Sequence, residues 1–432
     1  MREEFLHYLW KYSLYDADQL IDNEGNRIEV IHPGEHNTDS GPDFFNARLR
    51  IGDTHWAGNV EIHLKASHFN LHSHNTDPAY DNVILHLVSE NDKPVFNSRG
   101  QELLTIVPVY DKSIYNKYND LINKPFTIAC TGENELHSDF RFRIWLTRMV
   151  VERLEQKSVF VKELLGRTSG DWEETLYRML SRYFGFRVNT DPFERLAALL
   201  PSKIIRKHAD NRTQVEALLY GTAGMLDAKL FREAVGDKYY SELLREYAML
   251  SAKYGISTME GWLWKFSRLR PANFPTIRIS QLAALMCNSE GLFSRVVDAP
   301  DLKALKILLA AEAGPYWNDH YVFGKPVKGR RKKTGDLATD ILIINAVVPV
   351  LFTYGQVHGR QLVCDRALSL LESVDPEDNR YLREWKAAGI DAASAFWSQG
   401  LLHLYRNYCM KRRCLDCETG IRLVGRKSVT GV

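Results

Sequence analysis

A chain of 432 residues exceeds the usual size of a single domain. Its 45% hydrophobic and 25% charged residues are the proportions of an ordinary folded protein, not of a disordered or fibrous one. The net charge of +2 conceals an asymmetry: residues 1–120 hold 10 Lys and Arg against 19 Asp and Glu, a net −9, which leaves +11 for the remainder. Nine of the 14 histidines also fall in residues 1–120. An acidic, His-rich front suits a cation site, and a basic remainder suits a polyanionic partner.

No run approaches the roughly 18 consecutive apolar residues of a membrane span. The N-terminus MREEFLHYLWKY is charged and lacks an apolar signal core. The expected setting is therefore cytoplasmic, with no membrane partner; protein partners are not indicated. Six cysteines in a chain this long do not make a disulfide framework, and three of them lie within nine residues, which points to a metal site in a reducing compartment.

Residues 3–12 read as a short helix. Strand patterns follow at 27–32, 44–51, 56–66, 83–88 and 103–109. In 44–51, Phe45, Ala47, Leu49 and Ile51 alternate with Asn46, Arg48 and Arg50. In 56–66, Val60, Ile62 and Leu64 face one way, and Asn59, Glu61, His63 and Lys65 the other. The runs 83–88 and 103–109 are nearly continuous in apolar residues, as in buried central strands. The turn chemistry at Gly52-Asp53 predicts a hairpin.

After about residue 135 the period becomes helical, with stretches at 139–165, 171–184, 212–225, 239–253, 277–287, 336–353, 359–373, 380–388 and 392–408. Asp171 and Asp336 have the character of N-caps. The expected fold is an α/β module with a mixed sheet over 1–125, followed by a large all-α domain over 126–432.

The residues able to do chemistry crowd into 35–86. Glu61, His63 and Lys65 share one strand face, an odd choice for a buried surface unless they pair or bind something. Asp43 begins the preceding strand, so a hairpin brings it to Glu61. Two converging carboxylates repel unless a cation or a proton sits between them, and Mg²⁺ or Mn²⁺ resolves this. His72, His74 and Asp77 form a second plausible ligand set, for Zn²⁺ or Mn²⁺. His86, on an apolar strand, reads first as a core histidine. His32, Glu35 and His36 are candidates of second rank.

Pro42-Asp43, 17 further residues, and then Glu61 on a strand with Lys65 beyond it resembles the PD-(D/E)xK phosphodiesterase pattern. The resemblance implies that Asp43 and Glu61 hold a metal and that a lysine two residues after the Glu orients or activates water. That position is His63 here, so the role falls to His63 or to Lys65. The runs SGPDFFNARL, GNVEIHLKAS, DPAYDNVILHLV, RPANFPTIRI and CMKRRCLDCETG are in addition similar to an uncharacterised bacterial family known as domain of unknown function 2851. That likeness implies no activity.

Cys409, Cys414 and Cys417 carry the Cys-x2-Cys knuckle that grips Zn²⁺ or an iron–sulfur cluster. A fourth ligand could come from His403, Cys364, Cys287 or Cys130. Lys325, Lys328, Arg330, Arg331, Lys332 and Lys333 form a basic run behind Tyr316, Trp317, Tyr321 and Phe323, a combination suited to nucleic acid. The segment holding Trp262, Trp264, Arg268, Arg270, Pro271, Phe274 and Pro275 reads as a packed joint between helices.

Three functions are expected in order. The first is metal-dependent hydrolysis of a nucleic-acid phosphodiester. The second is a non-catalytic nucleic-acid-binding or scaffold role on a degenerate nuclease core. The third is metal-dependent hydrolysis of a small substrate.

Overall fold

The computed structural model describes residues 1–22, 25–288 and 290–425. A mixed sheet near the N-terminus is followed by many helices, and the chain divides into two compact units. Unit 1 comprises Met1–Trp145, Glu384–Ile390 and the segment from Leu404 onward; unit 2 comprises Leu146–Arg383 and Asp391–His403. The division thus differs from a single cut after residue 125: the C-terminal cysteines belong with the sheet, not with the helical unit. Sequence pattern reports local period only, and the period of 404–425 is helical wherever that segment packs.

In unit 1, α1 (Glu3–Lys11) carries Glu3 and Glu4 in its first turn and Lys11 in its last, as the helix dipole favours, and buries Phe5, Leu6, Leu9 and Trp10. The strands are β1 (Ile28–His32), β2 (Glu35–His36), β3 (Phe44–Ile51), β4 (Thr54–Lys65), β5 (Val83–Glu90) and β6 (Thr105–Ile106). They run in the order β1-β3-β4-β5-β6, with β2 also paired to β3. β3 and β4 form the antiparallel hairpin, turning at Gly52, whose φ of +56° suits glycine. β4, β5 and β6 are parallel.

A parallel pair needs a crossover. Residues 66–82 supply the one between β4 and β5; they contain α2 (His68–Leu71) and two single helical turns, His74–Thr76 and Pro78–Tyr80. α3 (Lys112–Asn123), capped by Asp111, packs against the same core, where Tyr118 and Leu121 join Phe44, Val60, Ile62, Leu85 and Leu87.

Three details differ from the strand patterns. A bulge in β3 lets Phe44 and Ala47 both face the core, so Phe44, not Phe45, is fully buried; Asn46 takes a φ of +58° there. The run 103–109 is not a central strand: only Thr105 and Ile106 pair, at the sheet edge, and Val107 and Val109 are exposed. Pro108 lacks the N–H a longer ladder would use. Glu35 and His36, expected in a loop, pair with Phe45 and Phe44.

Unit 2 is a helical assembly around one large core. Asp171 accepts from the Glu174 N–H as an N-cap; Asp336 is the first helical residue, and Gly335 precedes it at the cap position. The stretch Asp336–Val357 is long and apolar enough to cross a membrane, but 78% of its apolar window is buried inside the protein, as in a core helix. It passes through a π-turn at Ile343–Val347 just before Pro349, which has no N–H to donate. The helices Thr190–Leu199, Leu302–Leu309 and Glu418–Gly425 carry no expectation from the periodicity above.

Candidate metal centre

The hairpin register sets Asp43 beside Glu61, because Phe44 pairs with Val60. The Asp43 backbone N–H donates to Glu61 Oε2 at 3.2 Å, and Asp43 Oδ2 accepts from the Ile62 N–H at 2.9 Å. Glu61 and His63 project from the same face of β4, and both are almost fully buried. The crossover then folds back over this row. His72 and His74 flank Ser73, whose φ of +66° lies in the left-handed region, and this reversal turns both rings toward β4. The coordinating atoms of His63, His72 and His74 all lie within 4.8 Å of one another.

The three imidazoles form the converging group, and Glu61 touches two of them. His63 Nε2 is 3.1 Å from His72 Nδ1; Glu61 Oε1 is 3.3 Å from His74 Nε2 and 3.6 Å from His63 Nε2. Two ligands bonded at about 2.1 Å to one ion stand about 3.0–3.4 Å apart for octahedral to tetrahedral angles. His63 is buried, His74 half-buried and His72 exposed.

Behind these ligands runs a chain of orienting partners. His63 Nδ1 faces His86 Nε2 at 3.0 Å, and His86 Nδ1 faces Thr105 Oγ1 at 3.4 Å. The Thr105 hydroxyl donates to the Leu103 carbonyl at 3.2 Å. With His63 donating from Nδ1, its Nε2 lone pair points at the centre, the arrangement metal-binding imidazoles adopt. Tyr80 stacks on His74 with ring centres 3.8 Å apart and holds it in place.

Burial and close neighbours shift the titration of the cluster. Burial, then the neighbouring Asp43, push the Glu61 carboxyl well above the usual carboxylate range. Burial and the surrounding His86, His72, His74 and His68 push His63 down to about 2, and burial takes His86 down to about 4. Both imidazoles are therefore neutral at pH 7, as ligands and their partners must be.

Of the other expected site residues, Asp43 contacts the centre through Glu61; its own Oδ2 is taken by the Ile62 N–H and lies 3.4 Å from His7 Nε2. Lys65 forms a surface ion pair with Glu90 at 2.9 Å. The alternation holds, but two residues along a strand move a side chain past the end of the cluster. Asp77 caps the turn Pro78–Tyr80 by accepting from the Ala79 N–H. His32 Nδ1 accepts from the Gly34 N–H, and His36 packs on His7.

Sequence reasoning missed Glu3 and His7. They share one face of α1 at i, i+4, and Glu3 interacts with His7, Asp43, His72 and His68. Two polar groups spaced four apart on an otherwise core-facing helix were the available signal.

In unit 1, Cys130, Cys409, Cys414 and Cys417 line one small cavity. None is in a disulfide. Burial and the neighbouring cysteines raise the Cys130 thiol to about 12 and Cys409 well above the ordinary range. The other proposed fourth ligands lie in unit 2, where His403 pairs with Glu152 and Cys364 donates to the Phe352 carbonyl.

The basic run 325–333 is tied down at several points. Lys332 is buried and donates to the carbonyls of Trp317, Asn318 and Arg330; Lys325 pairs with Glu233, and Arg331 and Lys333 approach Glu312. Trp317 and Phe323 are core residues. In the aromatic joint, Trp264 is buried and bonded to the Ala223 carbonyl, whereas Trp262 is 73% exposed.

The family described as protein of unknown function (DUF2851) matches residues 3–380. The chain belongs to that family. The matched span includes the whole His and carboxylate cluster and Cys130, and ends before Cys409. No curated protein and no solved structure matches the chain.

Proposed function

We propose that unit 1 is a metal-dependent hydrolase acting on phosphodiesters of nucleic acid, with Glu61, His63, His72 and His74 as the metal ligands. The supporting observation is the convergence of three imidazoles whose ligand atoms lie within 4.8 Å of one another, with Glu61 Oε1 3.3 Å from His74 Nε2 and 3.6 Å from His63 Nε2. Three imidazoles favour Mn²⁺ or Zn²⁺ over Mg²⁺, which prefers oxygen ligands and its own waters. Such an ion, when bound, lowers the pKa of a coordinated water and polarises a phosphoryl oxygen.

The protein's groups account for the rest. Asp43, held by the Ile62 N–H and beside His7, is placed to take a proton from water and share it with that imidazole. His86 and Thr105 fix the His63 ring. Along the same face of β4 and the adjoining part of β3 lies an open cleft of about 680 Å³ whose lining includes Arg48 and His32 but also Glu35, with Asn46, Ala57 and Asn82. Arg48 supplies a cation there for an anionic substrate. Together with the Pro42-Asp43…Glu61 spacing, this favours a phosphodiester.

The test is cleavage of single- and double-stranded DNA and RNA, and of a small aryl phosphodiester, with Mn²⁺, Zn²⁺ or Mg²⁺. Glu61→Gln and His72→Ala should lower activity beyond the roughly 10–100-fold that loss of an orienting partner such as His86 costs. Lys65→Ala, which removes only a surface ion pair, should leave activity unchanged. Metal binding without turnover of any of these substrates would overturn the hydrolase reading in favour of a non-catalytic centre. Turnover of the small diester alone would replace nucleic acid with a small substrate.

A further inference from the structure

Four of the six cysteines meet although they are far apart in the chain: Cys130 lies 279 positions before Cys409. Cys409, Cys414 and Cys417 come from the turn after the helix Ala395–Leu404 and from the start of the helix Glu418–Gly425. The approach is close enough that a Cβ on Gly420 would come within 2.0 Å of the Cys414 carbonyl oxygen, so only glycine fits there. Arg412 anchors the turn by donating to the carbonyls of Phe126 and Lys124, and it does so from a left-handed φ of +55°. The Tyr8 hydroxyl donates to the Ile421 carbonyl. These contacts bring the segment back onto unit 1 with the four sulfurs lining one cavity, walled otherwise by Leu121, Ala129 and Tyr408.

We propose that Cys130, Cys409, Cys414 and Cys417 hold one iron–sulfur cluster, with Cys130 as the fourth ligand. A lone buried thiol is a small hydrophobe, but four around one cavity are a ligand set. One observation favours a cluster over a single zinc ion. Zinc bonded to four thiolates at about 2.3 Å draws the sulfurs nearly into contact. Among the described residues, however, the one triple of ligand atoms within 4.8 Å is His63, His72 and His74, not a set of these cysteines.

The surroundings also fit an anionic cluster. Cys417 accepts from the backbone N–H groups of Gly420 and Thr419, and the Arg412 charge acts on Cys409 and Cys414. Donors to sulfur and nearby cations are what stabilise a cluster's negative charge. On assembly two ferrous and two ferric ions combine with four sulfides, and each thiol releases its proton to solvent and binds as thiolate, so that no redox step is required. The centre would clip the C-terminal segment to residue 130 and so close a loop of nearly 280 residues.

The test is analysis of full-length protein purified without air. About four iron and four acid-labile sulfide per chain are expected, with a broad visible absorption that dithionite bleaches. Cys130→Ser should lose most of the iron, whereas Cys287→Ser, in the other unit, should retain it. If Cys130→Ser fails to fold, iron-edge X-ray absorption of the wild type decides, since only a cluster shows both sulfur neighbours and close iron–iron scattering. One zinc per chain and no iron would overturn the cluster. Protein that is folded and free of both metals, and that takes up neither on anaerobic reconstitution with iron and sulfide, would overturn the site.

Discussion

Glu61 and Glu216 are buried glutamates of opposite character, one in each unit. Glu216 receives the Arg212 guanidinium at 3.2 Å, the Tyr239 hydroxyl at 2.8 Å and the Ser280 hydroxyl. Its charge is matched and its lone pairs are filled from within the unit. Glu61 lies beside another carboxylate, and its other neighbours are imidazoles that burial holds neutral. The same contrast holds for histidine. In unit 2, His208 has Gln214 on one nitrogen at 2.7 Å and Tyr254 on the other at 3.0 Å. In unit 1, His137 is buried with neither ring nitrogen hydrogen-bonded among the described residues. A buried charge with its counter-charge is architecture. Adjacent carboxylates and facing imidazoles with no counter-charge shift one another's pKa values, as groups at functional sites do.

The largest effect that would sharpen this contrast is at Glu216. Glu216→Ala takes the acceptor from the Tyr239 and Ser280 hydroxyls and the counter-charge from the partly exposed Arg212, and should lower the unfolding free energy by about 2–3 kcal/mol. Urea denaturation measures it, and a loss below about 1 kcal/mol would mean that the network is not a closed structural unit.

Next is the acid limb of stability. Burial holds His137 down to about 4, below its unfolded value of 6.5. Between these values the unfolded chain binds the proton and the folded protein does not, so this contribution is present at pH 7 and lost as pH falls toward 4. His137→Phe should recover up to about 2 kcal/mol at pH 5 relative to wild type. The check is the difference between urea melts at pH 7 and pH 5; an unchanged difference would show that His137 is not held neutral.

The smallest effect has the opposite sign to Glu216→Ala. In metal-free protein, burial and Asp43 keep Glu61 protonated at pH 7, so Glu61→Gln replaces a neutral acid with a neutral amide, removes the cost of that protonation and should raise stability by about 1.4 kcal/mol, the equivalent of one pKa unit. The same variant should lose the rise in Tm that Mn²⁺ or Zn²⁺ gives the wild type, since a ligand that binds only the native state stabilises it. Destabilisation of the metal-free protein by Glu61→Gln would break the comparison, because Glu61 would then be architecture like Glu216.

Local chemistry carried much of unit 1 on its own. The alternation of Val60, Ile62 and Leu64 with Glu61 and His63, and the Gly52-Asp53 turn, determine a hairpin with Asp43 opposite Glu61. These follow from a period of two and a tight turn, and both are properties of contiguous residues. The same holds for most helices of unit 2, where period and caps mark the segments. It fails for β6, where Pro108 and an edge position outweigh an apolar run, and for Lys65, where alternation gives the face but not the reach.

Tertiary structure alone decided which residues meet. His72 and His74 read equally well as solvated loop residues until the parallel β4–β5 pairing forces the crossover back over the strand. Glu3 and His7 join the cluster because α1 packs beside it, and His86 becomes the partner of His63 because β5 lies next to β4. The choice of Cys130 over Cys287, Cys364 and His403 beside the C-terminal cysteines is of the same kind. Each is a contact between segments distant in the chain. A sequence read by period and spacing specifies what each segment prefers locally, while the burial of apolar surface common to many segments selects among the ways they can come together.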